Sequence, residues 1–414
     1  MRSVWFLIAL VCFGSTRGED WPQWRGPSGQ NHAAEGATAP DNWSDDSGLA
    51  WSTPLPGRGH SSPVVVGQRI YLTTCDEQAQ TQSLLVLDRQ SGELLQQTVA
   101  HRGKLAQRIH GNNTHASPTA ACDGQHVYAL FHNNLECWVT KFDLDGQQVW
   151  QKRVAEFSPR RFQFGFGSSP IMVGNLLVVS TEYDGPESGV YAIDRGTGEQ
   201  VWRAERPESL SFSTPIPAML DGERQLVMSG NDKLAGYDPQ TGQVLWSTSG
   251  STKATCGTMV WDAERNLAFA SGGYPGSFAL AVRGDGDHEV VWEESQPRCY
   301  EQSMLLVDGY LYALADNGIA YCLRGEDGEM MWRERLDGPV SSSPLYVDGK
   351  VYVTNEEGIT FVFRANHENF ELFAKNKLGD ECFATPTPVD GRLYHRYAKS
   401  VDGKRQEYLA AIGE

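Results

Sequence analysis

Eight short stretches of this 414-residue chain carry side chains suited to binding and catalysis, and each stands just ahead of a Ser/Thr-Pro dipeptide or a degenerate version of it. They hold Arg58, Gly59 and His60; His110, Asn112, Asn113 and His115; Arg161, Phe164 and Phe166; Ser211 and Phe212; Lys253, Thr255 and Cys256; Arg298, Cys299, Tyr300 and Glu301; Ser341; and Glu381, Cys382 and Phe383. Brought together, Arg58, Arg161, Lys253 and Arg298 would attract an anionic group, with Phe212 or Tyr300 stacked on it. His60, His110, His115 and Glu301 are residue types that transition metals accept. Ligands taken from separate stretches have no diagnostic spacing, so no metal site is assigned. Serines recur at one place in most stretches, which marks a structural signature and argues against a Ser-His-Asp nucleophile. No catalytic residue is assigned. The expected site is a polar pocket with aromatic walls; in the simpler alternative, the same groups only hydrogen-bond and solvate backbone around a channel mouth.

The elements that must position these stretches are repeats. The openings are Ser62-Pro63, Ser117-Pro118, Ser169-Pro170, Thr214-Pro215, Gly257-Thr258, Gln302-Ser303, Ser343-Pro344 and Thr385-Pro386, spaced 41 to 55 residues apart. Each leads into an apolar strand, a tight Gly turn and a second strand, as in Val64 to Leu72 or Leu345 to Val353. A second turn follows, running Asp88 to Gly92, Asp143 to Gly146, Asp194 to Gly198, Asp238 to Gly242 and Asp327 to Gly328, where Asp can bond the turn backbone. Four antiparallel strands per unit make a propeller blade. The expected fold is all-β, an eight-bladed β-propeller of four-stranded antiparallel blades.

Trp150, Trp202, Trp246, Trp292 and Trp332 close successive units, with Gln96 in the equivalent place of the first. They read as packing residues, each indole removing roughly 150 to 250 Å² from water. That is worth at most about 4 to 6 kcal/mol at about 25 cal/mol per Å². The last unit has three strand-like runs, and Trp51 in Leu49-Ala50-Trp51-Ser52 has no blade of its own. The N-terminal strand is therefore expected to complete the eighth blade and close the ring.

Residues 1–18 read as a signal peptide, with Arg2, an apolar run from Val4 to Phe13, and Thr16 and Gly18 at the small positions. Residues 19–48 form an N-terminal extension, and residues 49–414 the propeller. The expected location is periplasmic or secreted. No other stretch reads as a membrane span. The seven later cysteines stand singly with no C-x-x-C pair, which disfavours zinc; most read as buried core residues, with room for one or two bridges. A formal charge of −17 repels phosphate and excludes a nucleic-acid role without a local basic patch. A monomer is expected.

The run Ala192-Ile193-Asp194-Arg195-Gly196-Thr197-Gly198-Glu199-Gln200-Val201-Trp202 resembles the tryptophan-docking repeat of pyrroloquinoline quinone (PQQ) propellers, with Glu in place of Lys. Gly236 to Trp246 and Leu323 to Trp332 are further copies, and Asp20-Trp21-Pro22-Gln23-Trp24-Arg25-Gly26-Pro27 looks like the start of secreted bacterial PQQ-like propellers. The resemblance implies one of two activities. Quinoprotein dehydrogenases hold PQQ and Ca²⁺ over the funnel beside a disulfide between adjacent cysteines; this chain has no adjacent cysteines and no long insertions. Outer-membrane assembly propellers are non-catalytic scaffolds that bind protein partners by loops and edges. The expectation is a binding or assembly scaffold without a cofactor, taking a protein partner or a small anionic ligand at the funnel. A PQQ- and calcium-dependent oxidoreductase is the alternative.

Overall fold

The computed structural model describes residues 20–414 except residue 277; the expected signal peptide lies outside the described residues. Eight four-stranded antiparallel sheets form a ring, as the repeats require. In the first blade the strands run, from the axis outward, Val64–Val66, Arg69–Asp76, Thr81–Asp88 and Leu94–Arg102. The inner and middle strands are buried nearly throughout because neighbouring blades cover both faces, whereas the outermost strand alternates between half-buried and exposed residues. The core is accordingly a series of clusters between blades. Tyr312 and Cys322 of the sixth blade, for example, pack with Val353 and Phe363 of the seventh.

The eighth blade has Thr387–Val389, Arg392–Val401 and Lys404–Ile412, and its outermost strand is Leu49–Leu55, paired antiparallel so that Trp51 faces Ala411 and Thr53 faces Leu409. The ring is closed by the N-terminal strand near Trp51, as expected.

The closing tryptophans lie over the turn of the following blade. Trp150 Nε1 donates to the Gly196 carbonyl, Trp202 to Pro239, Trp292 to Gly325 and Trp332 to Asn366. The turn is held by its aspartate: Asp194 Oδ1 accepts from the Thr197 amide at 2.8 Å and hydroxyl at 3.0 Å, and Asp238 treats Thr241 likewise. Glycine is needed here on two counts. Gly242 has φ +71°, and a Cβ on it would lie 2.4 Å from the Trp202 ring. Trp246 differs in that it finds no turn carbonyl in the fifth blade. Its Nε1 turns back to Gln225 Oε1 at 2.6 Å, and its ring stacks on His288 with centroids 4.8 Å apart.

Residues 20–32 run across the channel against the far ends of the inner strands. Trp21 bridges Val65, the Pro22 carbonyl accepts from Cys122, Gln23 Oε1 accepts from Met172, and Gln30 donates to Trp261. His32 meets Leu306, and Asn31 meets Tyr346. Arg25, almost wholly buried, donates to the carbonyls of Gly29, Gln30 and Met304. Nothing in the repeat pattern assigns this segment a place; the structure seats it in the channel.

Candidate functional site

At the opposite end of the channel the chain enters each inner strand, and the repeated hydroxyls form a belt. The Ser62 amide donates to Thr119 Oγ1, Thr119 to Ser169 Oγ, and Ser169 to Thr214 Oγ1, each at 3.0 Å. Thr258 donates to Ser303, Ser303 to Ser343 and Ser343 to Thr385 at 2.9 to 3.0 Å. These serines and threonines are fastenings between blades. In the second blade the belt position is Thr119 rather than the Ser117 of the expected opening, because its inner strand starts two residues later, at Ala121–Cys122.

Extended chain alternates its side chains, so the residue two before each belt hydroxyl comes to the same surface. These residues are His60, Ser117, Gly167, Phe212, Cys256, Glu301, Ser341 and Phe383, one from each blade, and all eight line a cavity of about 390 Å³. Trp24 of the N-terminal segment lines it as well, its Nε1 donating to Thr258 Oγ1 at 3.1 Å. His110, Asn112, Asn113, Phe164, Tyr274 and Tyr300 complete much of the wall.

Two contacts within this layer define its chemistry. His60 stacks on Phe383 with centroids 4.3 Å apart; its buried Nε2 has no hydrogen-bond partner among the described residues. Burial first, then Arg58, Arg396 and Arg405, hold the His60 pKa well below the ordinary imidazole value, so the ring is neutral. Across the funnel, Ser341 Oγ lies 2.6 Å from both Glu301 Oε2 and Glu356 Oε1. A hydroxyl has one proton, so two carboxylates can share it only when one is itself protonated. Glu301 is placed to carry that proton: burial, with Glu356 and Asp316 nearby, pushes its pKa up to about 7. Tyr300 joins this side, its amide donating to Asp316 Oδ1 at 3.0 Å and its hydroxyl bonding Cys256, whose thiol pKa burial drives up.

Of the residues singled out in the sequence, His60, His110, Asn112, Asn113, Phe164, Phe212, Cys256, Tyr300, Glu301, Ser341 and Phe383 meet in this cavity. The expected cations do not join them. Arg58 reaches Glu381, 3.9 Å away, and Glu381 is held at 2.6 Å by Arg405. Arg161, Lys253 and Arg298 are exposed outside the lining. His115 faces an adjoining open groove that His110 shares with Arg108 and Arg160. Sequence reasoning missed Trp24, Tyr274, Asp316 and Glu356, which lie outside the eight stretches. A signal for Trp24 was present, since Trp21 and Trp24 precede every repeat.

The lining offers the carboxylates of PQQ no cationic partner. No arginine or lysine faces the cavity to meet the quinone carboxylates, and no group of three or more His, Cys, Asp or Glu among the described residues can hold a metal. All seven cysteines among the described residues are free thiols, so the bridges allowed for in the sequence are not formed.

Comparison with solved structures gives the same architecture. BamB from Moraxella catarrhalis superposes with a TM-score of 0.60 at 14% identity, covering 87% of this chain and 99% of that one. The computationally designed Ika8 protein gives 0.61 at 13% identity, covering 87% and 98%. A europium-containing methanol dehydrogenase gives 0.53 at 11% identity, covering 95% and 98%. At these identities the likeness is one of fold. No curated protein matches the chain. Residues 42–161, 159–296 and 284–367 each match the family model of the outer membrane protein assembly factor BamB, and together these segments span most of the sequence: the chain belongs to that family.

Proposed function

We propose that this protein is an extracytoplasmic, non-catalytic binding and assembly propeller, with the funnel as its ligand seat. The observation that carries the reading is the disposition of the polar groups around the axis. The belt hydroxyls are used between blades, the N-terminal segment occupies the far end of the channel, and among the described residues of the funnel lining no hydroxyl is hydrogen-bonded to a histidine and no cation stands ready for a quinone. What remains is a shaped cavity with aromatic walls and a polar belt, which suits recognition rather than turnover. Family membership supports the assembly role, because the family is described by outer membrane protein assembly. It also supports a periplasmic location, in keeping with the signal peptide expected at residues 1–18.

Protein partners have a surface at the rim. The outermost strands expose Leu95, Val149, Val201 and Leu245, one from each of the first four blades. Such strands offer both apolar side chains and an unpaired backbone edge.

Two measurements test the proposal. Titration with PQQ and Ca²⁺, followed by absorbance and by dye-linked alcohol oxidation, should give neither saturable binding nor turnover; both together would establish the oxidoreductase instead. A photocrosslinking amino acid at Val201 should trap a discrete protein adduct in the periplasm, and a failure to trap one at any of the four rim positions would remove the scaffold role.

A further inference from the structure

The ligand class of the funnel follows from an imbalance of charge around it. Two buried carboxylates close to the funnel mouth, Glu182 and Glu407, and the half-buried Glu381 have their own guanidinium. Glu182 pairs with Arg206 at 2.6 Å, Glu407 with Arg396 at 2.6 Å, and Glu381 with Arg405 at 2.6 Å. Glu301, Glu356 and Asp316, grouped on one side of the mouth, form no ion pair with any described residue. Glu301 alone of the three faces the cavity, where no lysine or arginine stands with it.

The rest of the cavity supplies what a cation with an apolar body needs. Trp24, Phe212, Tyr300 and Phe383 present ring surfaces, with Tyr274, half exposed, at the rim. Aromatic faces attract cations, more strongly where water is excluded. The neutral His60 adds a buried, unpartnered Nε2 on the wall that Phe383 shares. At about 390 Å³ the space is near the lower end of the range for small-molecule sites. A chain of formal charge −17 would also concentrate cations at the mouth.

We infer that the funnel binds an organic ammonium ion with an aromatic body, its charge set against Glu301 and its body held among Trp24, Phe212 and Tyr300. This rests on the reading of the funnel as a ligand seat and replaces the anionic ligand expected from the sequence. A bound ammonium displaces the proton held between Glu301 and Glu356, so binding strengthens as the pH rises through neutrality.

Three probes of one shape test it by calorimetry on the full-length mature protein: phenethylammonium, the neutral 2-phenylethanol and the anionic 3-phenylpropionate. The ammonium should bind at least about tenfold more tightly than the alcohol, and 3-phenylpropionate should not bind. Glu301→Gln, which keeps the shape of the side chain, should abolish the preference for the ammonium while leaving the alcohol unaffected. Tyr274→Ala, a rim change that leaves the core intact, should weaken the ammonium alone. If the alcohol or 3-phenylpropionate binds as well as the ammonium, the funnel is a ligand seat and the cation class is wrong. If none of the three binds at 10 mM concentrations, on the order of the weakest useful affinity, the ligand seat itself is refuted.

Discussion

The indole Nε1 of Trp51 donates to the carbonyl of Arg89 at 3.3 Å, joining the strand that begins the propeller to the turn of its first blade. The same ring lies where a Cβ on Gly92 would be, 2.4 Å away, so Trp51 makes across the closure the contact that Trp202 makes between the third and fourth blades. Trp51→Ala should therefore lower stability by about 2 to 4 kcal/mol, below the roughly 3 to 5 kcal/mol of a fully buried indole because Trp51 is only half-buried. Val149→Ala, on an exposed part of another outer strand, should change it by less than about 0.5 kcal/mol. Equal unfolding midpoints for the two variants would show that the ring closes without this contact.

The belt gives a second prediction. Thr119→Ala strips an acceptor from the buried Ser62 amide, and Ser303→Ala does the same to Thr258. Each should cost about 1 to 3 kcal/mol, the penalty for leaving a buried donor unpaired. A fluorophosphonate probe should label none of the belt serines. Labelling confined to one of them would mark a nucleophile that the repeat conceals.

Much of the fold was legible because it is periodic: the Asp-x-x-Thr-Gly turn and its tryptophan recur, and even the degenerate fifth unit keeps Thr258 in the belt. The site was legible where it obeyed the same register. His60, Phe212 and Glu301 stand two residues before a belt position, and strand alternation alone sends them inward. Arg58, Lys253 and Arg298 stand four or five residues before it, and Arg161 farther still. Proximity in sequence suggested a cationic mouth, while the chain has by then already turned away from the axis. Trp24 and Glu356 were missed for a different reason: one comes from a segment outside the repeats, where only the two early tryptophans marked it, and the other from a loop between the middle strands of the seventh blade.

Thiol reactivity follows from burial. Cys75, Cys122, Cys137, Cys299, Cys322 and Cys382 are buried, and burial pushes Cys75, Cys122 and Cys322 up to about 12 and raises the others as well. Cys256, half-buried in the funnel wall, is raised too. A thiol reagent should thus react slowly with the native protein, reach Cys256 first, and find seven thiols in the unfolded mature chain. Five or fewer thiols after unfolding without reductant would mean that a disulfide forms.

Two opposing pH dependences of stability should overlap between about pH 4 and 7. Burial holds His32, His101, His132 and His395 down to about 4, and His60 well below its usual value. These rings stay neutral in the fold while the unfolded chain takes up protons near pH 6.5. Their contribution is therefore present above that pH and is lost as the pH falls toward 4, at up to about 1.4 kcal/mol per pH unit for each histidine. Glu301 works in the other direction. With its pKa raised to about 7, it favours the fold where it is protonated, and that contribution is lost as the pH rises from about 4.5 through 7. Thermal unfolding across pH 4 to 9 should show the acid limb in both the natural protein and Glu301→Gln, with the opposing decline that Glu301 adds between about pH 4.5 and 7 absent from the variant alone. An unchanged decline in Glu301→Gln would place the responsible proton elsewhere than between Glu301 and Glu356.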